Sequence, residues 1–244
     1  MPELSILKVK LPTDVLKSMP AERSAALLRV GIFVNELNWL VRLLLIARIP
    51  NDSSEHERRA TVALALMIVK LLAGKMHEGW IKLKKEIYPL VEQSLTTEGR
   101  KVAAELANHL APGSLVHRLR NEHAFHYSTK LSLDDLEGLP LSEEEMVVYM
   151  SQHHGHNLFY ISELAAIRSL MAITGESDAG RSFQVVMQEV VKIAGLYSDF
   201  VVGVLIALLG DDVIDKLESE ELPNHAQGLP SMGRVMFFEL PPQD

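Results

Sequence analysis

The residue types best suited to chemistry bunch in one stretch of this chain. Between His117 and Lys130 stand three cations, Arg118, Arg120 and Lys130, one acid, Glu122, and three imidazoles, His117, His123 and His126. The 244 residues hold 32 Asp and Glu against 24 Lys and Arg, a formal net charge of −8, so the stretch is a local positive patch on a negative protein. A phosphate-bearing ligand is drawn to such a patch, while binding of nucleic acid by bulk charge is excluded. Arg can grip a phosphate through two N–H groups, and His titrates close enough to neutrality to move a proton either way. With no cysteine, disulfide frameworks, thiolate zinc sites, iron–sulfur clusters and cysteine nucleophiles are excluded. A second histidine group, His153, His154 and His156, lacks companion carboxylates and reads as a solvated turn rather than a metal site. There is no phosphate-binding glycine loop, no nucleophile elbow and no HExxH helix. No metal and no cofactor is expected.

Inside the patch, the run Arg120-Asn121-Glu122-His123-Ala124-Phe125-His126-Tyr127 resembles the signature of the HEPN superfamily. That signature is an Arg, a following polar residue that is often Asn, and a His after a gap of four to six, set in an antiparallel helical bundle. The resemblance covers about eight residues, with a gap of five between Arg120 and His126. It implies metal-independent RNA cleavage, of a toxin or defence type, at a composite site where two copies of the motif meet across a dimer axis. On that reading His126 handles the proton of the attacking 2′-hydroxyl or of the leaving oxygen, Arg120 stabilises the charged phosphorane and Asn121 orients it. Arg118, His123 and Tyr127 are the expected contacts to RNA. The alternative is a non-catalytic HEPN-like binding or scaffold module, in which Arg120 and Asn121 pair with Glu122 or tie down a loop while His126 and Tyr127 pack. A third reading is a helical metal or small-ligand protein using the histidines. Geometry constrains the first: on an ideal helix residues six apart point about 120° away from each other. Arg120 and His126 therefore converge only if the helix starts near Arg120 or a partner completes the site, whereas Arg120 and His123 share a face.

The elements that must position these residues read as helices. Pro20 to Arg48 has no internal proline and is apolar almost all the way round, with Asn35, Asn38 and Arg42 as one narrow polar stripe that is either a solvent face or a polar seam. Pro50 and Asn51 end it, and Ser54 with Glu57 has the form of a capping box for a second helix running toward Tyr88, weakened at Gly74 and Gly79 and kinked or ended by Pro89. Glu98 to Leu110 is an amphipathic third helix stopped by Pro112 and Gly113, and Ser114 can cap a fourth. Leu131 to Leu141 is a turn-rich connection. Residues 146–161 suit a helix start or a short β-hairpin about equally, with the hairpin preferred. Helices then follow over Ser162–Ile173 and, capped by Ser177 or Asp178, up to Leu209, each closed by a glycine. Glu143 to Glu145 read as a helix N-terminal turn and the acidic run Asp211–Glu221 as a solvated surface segment.

The expected fold class is therefore mainly α: an antiparallel helical bundle with one small hairpin near 146–161. Residues 1–222 form a single HEPN-like domain and 223–244 an extended C-terminal arm, since no internal repeat or long Gly/Ser linker divides the chain. The 48% hydrophobic content supplies more apolar helix surface than a small bundle can bury, which predicts a homodimer. The uncharged apolar runs Ala60–Val69 and Phe200–Gly210 fall short of the roughly 18 residues a membrane span needs, so no membrane partner is expected. The opening MPELSILKVKLP has no charged stretch leading into a long apolar core, and the expected compartment is the cytoplasm. RNA is the expected ligand; any protein partner is unspecified.

Overall fold

A computed structural model describes residues 6–47, 54–124, 146–150, 157–210, 214 and 217–222. The chain order is β1 (Ile6–Val9), α1 (Thr13–Ser18), α2 (Ala21–Ile46), α3 (Glu55–Lys82), a wide π-turn (Leu83–Ile87), α4 (Tyr88–Val91), α5 (Thr97–His109), α6 (Leu115–Leu119), a second π-turn (Arg120–Ala124), α7 (Tyr160–Thr174), α8 (Ala179–Leu209) and β2 (Ser219–Leu222). The mainly α bundle expected from sequence is what forms.

Helix boundaries follow local chemistry. Thr96 and Ser114 accept the N–H groups of Gly99 and His117 at the starts of α5 and α6, and Asp178 accepts that of Arg181 at 2.7 Å to open α8. Gly175 ends α7 at φ 76° and Gly210 ends α8 at φ 79°, left-handed conformations that a side chain would strain. Ser54 stands at the start of α3, but its hydroxyl meets His56 Nε2 at 3.0 Å instead of a backbone N–H. Pro89 has no N–H to offer the carbonyl four residues back and its ring crowds that carbonyl, so α3 widens over Leu83–Ile87 before α4 resumes with the proline in its first turn.

α8 is the central strut. Val186, Val190, Ile193, Tyr197, Phe200, Val204 and Leu208 recur every three or four residues along one buried face, around which α2, α3, α5 and α7 pack. By length and composition two helical stretches, 55–91 and α8, are apolar enough to cross a membrane, but both carry the buried core. α2 meets α3 at Gly79, where an added Cβ would collide with the Phe33 ring, itself tilted against Tyr197 with centroids 5.2 Å apart. Tyr197, held well above the usual phenol pKa by burial, donates its hydroxyl hydrogen to the Met76 carbonyl.

Of the pairing expected near 146–161, the described residues show one antiparallel bridge, Tyr149 with Leu158, closed by N–H···O bonds of 2.8 and 2.9 Å. α7 starts at Tyr160, two residues before the expected Ser162, so Leu158 is the strand-like residue and Tyr160 the helical one. Arg59 fastens the bridge to α3: its guanidinium donates to the Tyr149 hydroxyl at 3.0 Å and lies 5.2 Å from the centroid of the Tyr160 ring.

A second pairing has no counterpart in the sequence reading. β1 and β2 form an antiparallel pair with Ile6 opposite Leu222 and Val9 opposite Ser219. Lys8 and Lys10 reach Glu220 at 3.3 Å and Glu218 at 2.8 Å. Part of the acidic run read as a solvated segment is thus a strand, whose exposed glutamates pair with lysines across the ladder. The turn-rich 131–141 connection, Glu143 to Glu145, His153, His154, His156 and the 223–244 arm lie outside the described residues.

Candidate functional site

α6 and the π-turn that follows place His117, Arg120 and Asn121 at i, i+3 and i+4, the spacing that puts side chains on one helical face. That face lies against α3, which supplies two consecutive polar residues, His77 and Glu78. Arg120 donates from Nε to Glu78 Oε1 at 2.8 Å and brings Nη2 within 2.6 Å of the same oxygen, while Nη1 donates to Asn121 Oδ1 at 2.8 Å. The guanidinium is thereby fixed in plane by a carboxylate and an amide. Its side chain keeps 30% of its surface in solvent and that of Glu78 keeps 43%.

Two imidazoles adjoin this cluster. The His117 and His77 ring centroids are 5.2 Å apart at 56°. The Gly113 N–H donates to His117 Nδ1 at 3.1 Å, and the Asn121 amide lies 3.1 Å from Nε2. His77 is buried, and its Nδ1 has no hydrogen-bond partner among the described residues. Burial holds its pKa below the ordinary imidazole value; His117 and Arg120 push the same way and Glu78 opposes them. His77 is therefore a neutral ring at neutral pH, facing a guanidinium already matched to one carboxylate. Among the described residues no group of three or more His, Asp or Glu could hold a metal ion.

Of the residues singled out from sequence, the structure brings Arg120 and Asn121 together and adds His117, which the sequence reading placed in the patch without a role. Arg118 is exposed on α6 and joins none of these contacts. Glu122 is exposed and is not the partner of Arg120; Glu78 is. His126, Tyr127 and the side chain of His123 lie outside the described residues. His77 and Glu78 were missed, although a His-Glu pair inside a long apolar helix is itself a signal, because two polar residues that must be buried or half-buried need polar partners nearby. The polar stripe of α2 does not face the site: Asn35, Asn38 and Arg42 are all exposed to solvent. Compared with known proteins, the chain matches no family model, no curated sequence and no solved structure, so its functional reading stands on these side chains.

Proposed function

We propose that the chain is a HEPN-like, metal-independent endoribonuclease of the toxin or defence type. The observation that carries this reading is the Arg120 guanidinium, held in plane by Glu78 and Asn121 beside the His117–His77 pair and still open to solvent. Such a group suits a phosphorane: it supplies fixed charge and parallel N–H donors where negative charge grows. In the reaction a base takes the proton of the RNA 2′-hydroxyl as the 2′-oxygen bonds to phosphorus. The P–O5′ bond then breaks, and an acid returns a proton to the leaving oxygen. His126 is the group the motif assigns to one of these transfers, and two copies of the motif meeting in a homodimer would supply both.

The test is cleavage of mixed RNA by the purified chain, with and without a chelator. Arg120→Ala and His126→Ala are each expected to lower the rate by about two to four orders of magnitude, and the chelator to change nothing. RNA left intact by the wild type, or cleaved equally by both variants, overturns the proposal.

The second reading, a non-catalytic binding or scaffold module, is favoured by one specific contact. Glu78 already neutralises Arg120 at 2.6 Å, and an incoming phosphate must compete with it. That reading expects RNA or protein binding without any strand scission.

A further inference from the structure

The outer face of α2 has a repeat that none of the described elements packs against. Its buried residues, Val30, Phe33, Leu37 and Leu44, turn toward the bundle. On the opposite side Leu28, Ile32, Asn35, Trp39, Arg42 and Ile46 alternate at steps of four and three, the spacing of a coiled-coil seam, and all six are exposed. Leu28 is 59% exposed, Ile32 62% and Trp39 66%, the last a residue that seldom stands alone in water. Together with Ile46 and the adjoining Leu43, these side chains leave on the order of 500 Å² of apolar surface uncovered, at the upper end of what a monomer shows. Adding the polar groups of the same face approaches the roughly 800 Å² per partner of a stable interface.

We infer that this face pairs with the same face of a second copy of the chain, α2 against α2 and antiparallel. Three observations select that occupant. The seam contains Asn35 and Arg42 and is not among the stretches apolar enough to cross a membrane, which argues against lipid. An antiparallel two-fold pairing centred between Phe33 and Val34 overlaps the whole of Ala21–Ile46 and sets Trp39 against the partner's Leu28, Ile32 against the partner's Asn35 and Arg42 against the partner's Ala25. In that register the charges alternate: Arg42 comes beside the partner's Glu22 and Arg29 beside the partner's Glu36. Within each chain Arg29 is already joined to Glu86 at 3.3 Å and Glu36 to Lys75, so the cross-contact extends a row of alternating sign. A parallel pairing in register would stack Arg42 on Arg42. The seam uses none of the candidate site's residues, so this pairing is a separate contact from the meeting of two motif copies in the proposed function, and it stands whether or not the chain cleaves RNA.

The absence of cysteine in the chain makes the test clean. Light scattering of the full chain at about 10 μM is expected to give twice the chain mass, and Trp39→Glu and Ile32→Glu to give monomers through a weakening on the order of 100-fold, with unchanged circular dichroism. Under mild oxidation the double variant Ala25→Cys/Arg42→Cys is expected to form an intermolecular disulfide. Arg42→Cys alone is not, because 17 residues along a helix separate the two copies of position 42 by about 25 Å. A monomeric wild type, a dimer that survives both Glu variants, or efficient cross-linking of Arg42→Cys alone overturns the inference. So does flotation of a monomeric wild type with phosphatidylserine vesicles that Ile32→Glu abolishes, which would give the face to a lipid surface. RNA cleavage by Arg120→Ala, which leaves the seam untouched, reports separately on the nuclease.

Discussion

Residues 76 to 80 of α3 look two ways, and the two sides differ in kind. Toward α2 and α8, Met76, Gly79 and Trp80 meet Phe33, Tyr197 and Phe200 in a contact so close that one of the positions has no side chain at all; Trp80 stands edge-on to Phe200 with centroids 5.8 Å apart. Toward α6, His77 and Glu78 meet His117, Arg120 and Asn121 through directed polar contacts around a partly solvated guanidinium. The first side is shaped by volume and the second by charge and hydrogen-bond geometry. One helical turn thus anchors the candidate site to a closely packed part of the core, so that a misplaced α3 moves both at once.

The largest effect is expected on the packed side. Gly79→Val should destabilise the fold by about 3 kcal/mol in urea unfolding, since the Phe33 ring is confined by Tyr197 and cannot swing clear. Adding Phe33→Leu should return part of the loss, and strict additivity of the two changes would break the account of that contact. Tyr197→Phe removes the hydroxyl from the Met76 carbonyl and should lower stability by about 1 kcal/mol with no change in spectroscopic fold.

The polar side is expected to answer to pH. Because the folded pKa of His77 lies below its unfolded value of about 6.5, the unfolded chain binds the proton more readily. The contribution of His77 to stability is therefore intact above that value and is lost as pH falls toward and through the folded pKa. Denaturation midpoints measured from pH 7.5 down to 5 should decline, and His77→Phe should flatten part of that slope; an unchanged slope would remove His77 as its source. The smallest effect belongs to Glu78→Gln. With the Arg120 side chain 30% and that of Glu78 43% exposed, solvent screens the ion pair, which should contribute within about 0.5 kcal/mol to stability. A loss of several kcal/mol would place the pair on the structural side of the comparison.

Much of the helical frame is legible locally, because caps and stops act within a few residues: Ser114 and Asp178 open helices, Gly175 and Gly210 close them and Pro89 disturbs α3 where expected, while Thr96, not singled out from sequence, opens α5 by the same chemistry. What escapes a local reading depends on distant partners. Lys8 and Glu220 carry no mark of each other, and a four-residue strand acquires its identity only when paired. The site divides in the same way. Arg120 and Asn121 stand out through motif spacing, whereas Glu78 lies 42 residues away in the chain, inside a helix whose period announces only burial. His117, three residues before Arg120, was within reach of the same one-face argument that linked Arg120 with His123.

The pairing of β1 with β2 also sets a timetable for synthesis. Nothing can form the ladder of Ile6–Val9 until Ser219–Leu222 has left the ribosome. At translation speeds of about 5–20 residues per second the first strand therefore waits for roughly 10–40 s with its backbone donors and acceptors unpaired. Lys8 and Lys10 are well placed for that interval, since lysine on an open strand edge discourages pairing with the wrong chain before Glu220 and Glu218 arrive. The same lysines that later face the acidic strand act first as guards of the open edge.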